Sequence, residues 1–270
     1  MVGRGYLRLI YPGDLTRVVV LVTSNARGKR QAVLASDAVP VPIEAVIFDY
    51  GGVISQSPFA RLAQTEERLG LAPGTLAELF GYGLDVPEPA TGEAYTNKWH
   101  LLEIGAIEVE EYSAWVDERS VAVFGRPIDV ASRLGSGVDA TGIYWMVLHE
   151  VRRLRAAGYK LAICTNNVAP FRATWQQQFP IDWFDVLVDS SEVGVRKPDP
   201  AIYLLTSERL GVAPEGCVFL DDHPGNIAGA QAVGMAGILV GDDPWVALDE
   251  LGRLLTVRAP NVPARSASGS

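Results

Sequence analysis

Four polar clusters in this chain carry groups that could do chemistry together. Asp49 closes "AVIFD", Thr165-Asn166-Asn167 closes "LAICTNN", Lys197 sits in "GVRKPDP", and Asp221-Asp222 closes "VFLDD". Three carboxylates gathered at one place repel one another unless a cation neutralises them. Carboxylates with a backbone carbonyl and water oxygens suit Mg²⁺. A lysine with hydroxyl and amide donors suits a phosphoryl group. Gly51 and Gly52, directly after Asp49, free the backbone to turn sharply, so that its carbonyl and amides can approach a metal or a phosphate.

These clusters need a scaffold that brings them to one edge. Ala45–Phe48, Leu161–Cys164, Val186–Val188, Val218–Leu220 and Gly237–Val240 are apolar runs of strand length. Helical patterns separate the later ones. Val147, Leu148, Val151 and Leu154 form one stripe, stopped by Gly158, and Asp199 before Pro200 starts another helix as its N-cap. This alternation predicts a parallel sheet with helices on both faces. Ligands of such sheets sit beyond the carboxyl ends of the strands, where all four clusters fall.

Residues 57 to about 134 break the rhythm and contain no convincing strand. Ser57-Pro58 opens a helix with Phe59, Leu62, Ala63 and Leu69 on one side, and Thr75 with Glu78 has the spacing of a capping box. Two further helical stretches lie near 93–104 and 108–124, and "GSGVDATG" at 135–142 reads as a flexible return. The expectation is an all-helical insertion after the first strand.

The 270 residues carry a net charge of −9, which argues against a nonspecific nucleic-acid or membrane-surface role. No apolar run approaches the roughly 18 residues of a membrane span. The first 40 residues differ, with six Arg/Lys against two Asp/Glu, a charge of +4 that leaves −13 for the remainder. "YLRLIYPGDLTRVVVLV" has the pattern of a hairpin turning at Pro12-Gly13-Asp14; the competing expectation is an extension without regular order. "APNVPARSASGS" at the other end reads as a disordered tail. Cys164 and Cys217 each lie inside an apolar run and read as reduced, buried and structural, which fits a cytoplasmic protein.

On Asp49, Thr165-Asn166, Lys197 and Asp221-Asp222, in that order and spacing, the chain resembles the haloacid dehalogenase superfamily of Asp-nucleophile phosphatases. The resemblance covers roughly residues 43–256. It implies a Rossmann-like α/β core with five parallel strands, built from residues 43–56 and 135–256, with a helical cap at 57–134, an N-terminal extension at 1–42 and a tail at 257–270. Asp49 is then the nucleophile that takes the phosphoryl group, and Asp49 and the Gly51 carbonyl ligate Mg²⁺. Asp222 is the second metal carboxylate and Asp221 a nearer or water-mediated helper. Thr165, Asn166 and the Gly52 backbone hold phosphoryl oxygens, and Lys197 pairs with Asp49. The implied substrate is a small phosphorylated metabolite, and the implied assembly a monomer or homodimer.

One departure stands in the first motif. The family's usual second aspartate, two positions after the nucleophile, protonates the leaving group; here that position is Gly51. General acid–base help is typically worth about 10²–10⁴-fold. Three alternatives follow: substrates with good leaving groups such as sugar 1-phosphates or acyl phosphates, a proton supplied by substrate, water or a cap residue, or a binder without turnover. Metal-free dehalogenases also lack this aspartate, but they need no acidic pair after the fourth strand, and Asp221-Asp222 are present.

Other residues have structural readings beside the chemical one. Thr165 and Asn166 are also suited to capping the next helix, and Asn226 to bracing the loop. His223, beside the acidic pair, is expected to bond backbone rather than donate a proton. His149 is expected at the surface, and Trp99, His100, Tyr112 and Trp115 in the packing of the cap. Tyr50 is expected to point away towards the cap hinge.

Overall fold

The structure, a computed structural model, describes residues 5–7, 19–24, 30–35, 41–82, 96–129 and 142–257. The chain divides into two compact units, residues 1–41 and 42–270.

In the first unit, β1 (Gly5–Leu7), β2 (Val19–Ser24) and β3 (Arg30–Ala35) form an antiparallel sheet in the order β1-β2-β3. Tyr6 lies opposite Leu21, and Leu21 opposite Val33. The valine-rich run of β2 is thus paired on both sides. The hairpin partners are as expected; the turn at Pro12-Gly13-Asp14 lies outside the described residues.

The second unit holds a parallel sheet of β4 (Ala45–Phe48), β5 (Lys160–Thr165), β6 (Val186–Asp189), β7 (Cys217–Asp221) and β8 (Ala236–Leu239), ordered β6-β5-β4-β7-β8. All five lie within a residue or two of the predicted runs. The central β4 is buried along its whole length, which explains why it is continuously apolar rather than alternating.

Helices cover both faces. On one, α5 (Trp145–Ala156) buries Val147, Leu148, Val151 and Leu154 as the stripe predicts, and Gly158 follows with φ +89°. It shares a core with α10 (Pro244–Val257), and α6 (Ala169–Trp175) follows β5. On the other lie α8 (Pro200–Leu210) and α9 (Pro224–Ala232). Asp199 caps α8 as expected, accepting a bond from the Ala201 amide at 2.8 Å.

Between β4 and α5 the named elements among the described residues are helices: α1 (Pro58–Leu69), α2 (Thr75–Phe80), α3 (Lys98–Glu103) and α4 (Val109–Phe124). Leu76, Leu79, Trp99, Leu102, Tyr112 and Val116 form the core of this helical cap, and Val168 of the sheet domain packs into it. Two details differ from the sequence expectation. Leu69 and Ala63 are exposed, and among the described side chains of α1 the buried one is Glu66. Its carboxylate accepts the amides of Gly74 at 2.8 Å and Leu76 at 2.6 Å, so a residue of α1 caps α2. Thr75 forms no capping box: its hydroxyl donates to the Ala72 carbonyl at 2.7 Å, and Gly74 is the N-cap at φ +87°. A carboxylate reaching in from a packed neighbour satisfies the same orphan amides that a local Thr/Glu pair would. Of the 135–142 return only Gly142 is described; the stretches 83–95 and 258–270 also lie outside. Among the described residues no helix is long and apolar enough to cross a membrane.

Candidate active site

The sheet order explains how residues far apart in sequence meet. Phe48 lies beside both Ile163 and Leu220, so the tips of β4, β5 and β7 end together. The Asp49 amide donates to the Leu220 carbonyl at 2.9 Å, which locks Asp49 beside Asp221. Carboxylate oxygens of Asp49, Asp221 and Asp222 lie within 4.8 Å of one another.

Lys197 arrives from the loop after α7 (Ser190–Val193), a single turn following β6. Its side chain is wholly buried. Its Nζ is 2.9 Å from Asp49 Oδ2 and 2.6 Å from Asp221 Oδ2. Burial alone would depress the ammonium, but Asp221 and Asp49 outweigh it and hold the lysine's pKa above its ordinary value. Burial pushes Asp49 up to about 8, against the pull of Lys197, with Asp221 and Asp222 adding to the rise. Asp222 is raised as well, by burial first, with a hydrogen bond from Ser57 opposing it. Ser57 is the N-cap residue of α1 and makes no capping bond with its side chain.

The two adjacent aspartates differ in environment. Asp221 is fully buried and its oxygens are engaged: by Lys197, by the His223 amide at 2.8 Å, and by Asn226 Nδ2 at 3.0 and 3.1 Å. Asp222 is half-buried and stands against Gly52. At Gly52, with φ +78°, an added Cβ would fall 2.0 Å from Asp222 Oδ2. Gly52 therefore makes room for a carboxylate; any contact with a phosphoryl group is left to its backbone. The Tyr50 amide donates to Asp49 Oδ1 at 2.6 Å, and Gly51 lies in a bridge with Ser55.

Thr165 is buried at the tip of β5, its hydroxyl 3.5 Å from the Asn166 carbonyl, a long contact. The Asn166 side chain is engaged by the backbone of Lys197. Its side-chain oxygen accepts the Lys197 amide at 2.8 Å, and its Nδ2 donates to the Lys197 carbonyl at 3.0 Å. An amide side chain offers both the acceptor and the donor that the two backbone groups of a single residue require. Asn167 is tied to Asp189 at 2.7 Å and to Ser190 Oγ at 3.0 Å.

Asn226 braces the loop, as expected. His223 caps α9, its Nδ1 accepting the Gly225 amide at 3.1 Å, so the ring serves the helix. Tyr50 stacks on Phe179, with centroids 6.1 Å apart, and donates to Gln178 at 3.0 Å. Trp99 and Tyr112 pack edge to face at 5.5 Å within the cap. His100 is buried there, and desolvation with the charge of Arg196 pushes its pKa down to about 3, so it is neutral. His149 is exposed, and Cys164 and Cys217 are buried free thiols pushed up to about 12 by burial.

Sequence reasoning passed over Arg196, which is buried and bonds the cap's Glu103 through Nε at 2.7 Å. Its place next to Lys197 was visible; a partner 93 positions earlier was not.

A profile of the haloacid dehalogenase-like hydrolases matches residues 43–234. Acyl-CoA dehydrogenase family member 10 of Mus musculus is 31% identical over 218 residues, 78% of this chain; the chain spans only 19% of that protein. A phosphatase of Mycobacterium tuberculosis (MT3486) is 27% identical over 203 residues, 73% of this chain and 87% of its own length. Among solved structures, a Bacteroides thetaiotaomicron enzyme of the same family, in complex with magnesium and inorganic phosphate, is 21% identical with a TM-score of 0.54 over 76% of this chain and 98% of its own. With the profile spanning most of the chain and the fold shared, this protein belongs to the haloacid dehalogenase-like hydrolases.

Proposed function

We propose that this hydrolase cleaves small phosphomonoesters with Mg²⁺ through a phosphorylated Asp49. The observation that carries this is the buried Lys197 ammonium bridging Asp49 and Asp221, with Asp222 beside them. A lysine so placed orients Asp49, opposes the effect of burial on its carboxyl, and offsets charge gathered on a transferring group. Of the three acids, Asp221 is committed to Lys197 and to its own loop, so Asp49, Asp222 and the Gly51 carbonyl are the oxygens that fit a hard cation. A bound Mg²⁺ would neutralise the clustered carboxylates and polarise a phosphoryl oxygen.

In the first step an Asp49 oxygen bonds phosphorus as the P–O bond to the leaving group breaks; water then cleaves the acyl phosphate and restores the carboxylate. The backbone near Thr165 and Asn166 is the candidate cradle for the phosphoryl oxygens. With glycine at position 51, the leaving oxygen finds no proton donor there. Sugar 1-phosphates and acyl phosphates, whose leaving groups need little protonation, are therefore the favoured substrate class. The magnesium and phosphate of the solved relative and the name of the mycobacterial one lend support. The same glycine favours, as a second reading, a phosphate-ligand binder without turnover.

Mg²⁺-dependent turnover of acetyl phosphate and an activated aryl phosphate, with Asp49→Asn as control, separates the two. Turnover by the wild type and its loss in Asp49→Asn are expected. Equal inactivity of both, with phosphate still bound, favours the binder.

A further inference from the structure

Arg196 and Glu103 form an ion pair that is 8% and 5% exposed, between the lysine loop and the last turn of cap helix α3. A buried pair of this kind contributes little net stability, because desolvation offsets the attraction; its best-attested use is to fix registry. Here the registry is that of the cap against Lys197. Arg196 directly precedes the lysine, and Asn166 grips the lysine's amide and carbonyl at 2.8 and 3.0 Å. A second tie lies alongside: Ser190 Oγ donates to the Glu103 carbonyl at 2.7 Å and accepts the Asn167 amide at 3.0 Å. The tips of β5 and β6, the lysine loop and the end of α3 are thus one buried polar network.

We propose that Glu103 is a positioning residue: through Arg196 it sets Lys197 on Asp49, so that the lysine is in register only while the cap helix is docked. A cap that lifts releases Arg196 from Glu103, and with it one restraint on the lysine loop. Turnover is then confined to the closed state, where water is also excluded. The catalytic half of this proposal rests on the hydrolase function above; the structural half does not.

Two variants test it. Glu103→Gln keeps the shape and removes the charge. The double variant Glu103→Met with Arg196→Met removes both charges and keeps apolar bulk, a replacement that buried pairs commonly tolerate. Backbone hydrogen exchange over residues 194–199 and steady-state kinetics on an aryl phosphate with Mg²⁺ are the readouts. Both variants should exchange faster over that segment while β4 and β7 stay protected. Their kcat should fall about 10–100-fold, the scale of a small misplacement, with KM within about threefold. Wild-type exchange in a folded variant overturns the coupling, and faster exchange with wild-type kcat overturns the positioning role. Should the double variant fail to fold, Glu103→Gln decides by the same readouts. A wild type inactive on every phosphate removes the hydrolase function, and the exchange result still decides whether the cap restrains the lysine loop.

Discussion

The Asp222 carboxylate occupies the volume that a side chain on residue 52 would need, with Oδ2 2.0 Å from the position of a Gly52 Cβ. Gly52→Ala should therefore displace Asp222, and the left-handed backbone at φ +78° adds about 1–2 kcal/mol of strain. Mg²⁺ affinity is expected to weaken about tenfold or more. Calorimetric titration with Mg²⁺ checks it: wild-type affinity in a folded Ala variant would show that Asp222 is not a ligand.

Lys197→Met removes the cation from between two buried carboxylates. Breaking a buried pair in this way costs about 3–5 kcal/mol. Urea unfolding at pH 7 should show that loss. Wild-type stability in the folded Met variant would contradict the pairing.

The raised pKa of Asp49, about 8, and the raised pKa of Asp222 give a defined sign to pH dependence. A carboxyl whose folded pKa exceeds its unfolded value contributes stability below the unfolded pKa and loses it as pH rises through the folded one. The metal-free protein should thus lose stability from Asp49 between about pH 4 and pH 8, with Asp222 acting in the same direction. Mg²⁺ competes with the proton for the same oxygens, so its stabilisation should grow over that range. Thermal denaturation with and without Mg²⁺ at pH 6 and pH 8 tests this; a larger Mg²⁺ effect at pH 6 would contradict it.

Asn166→Ala severs both bonds to the Lys197 backbone. A buried group left unpaired costs about 1–3 kcal/mol. The expected result is a lower melting temperature together with a lower kcat. If the melting temperature holds and only inhibition by inorganic phosphate weakens, the side chain serves the ligand instead.

Gly51→Asp restores a carboxyl where the leaving group would need a proton. Alkyl phosphates should gain up to about 10²–10⁴-fold in kcat, activated aryl phosphates far less. Parallel rates on both substrate types, before and after substitution, decide whether the missing acid limits turnover.

Much of the molecule was legible in sequence because it follows from local rules. Continuous apolar runs ending in Asp49, Thr165 and Asp221 mark buried parallel strands, and Asp199-Pro200 and Gly158 mark helix ends by the conformations those residues favour. The convergence of the polar clusters follows from the parallel topology alone. Long-range partners were not legible, because nothing in a local stretch says which distant group packing will bring against it. Only the tertiary structure gave Asp221 to Lys197 and left Asp222 beside Gly52, turned Asn166 onto a backbone, made Glu66 the cap of α2, and set Glu103 against Arg196. Each of these choices was made by burial, which forces every polar group taken out of water to find its partner in space rather than in sequence.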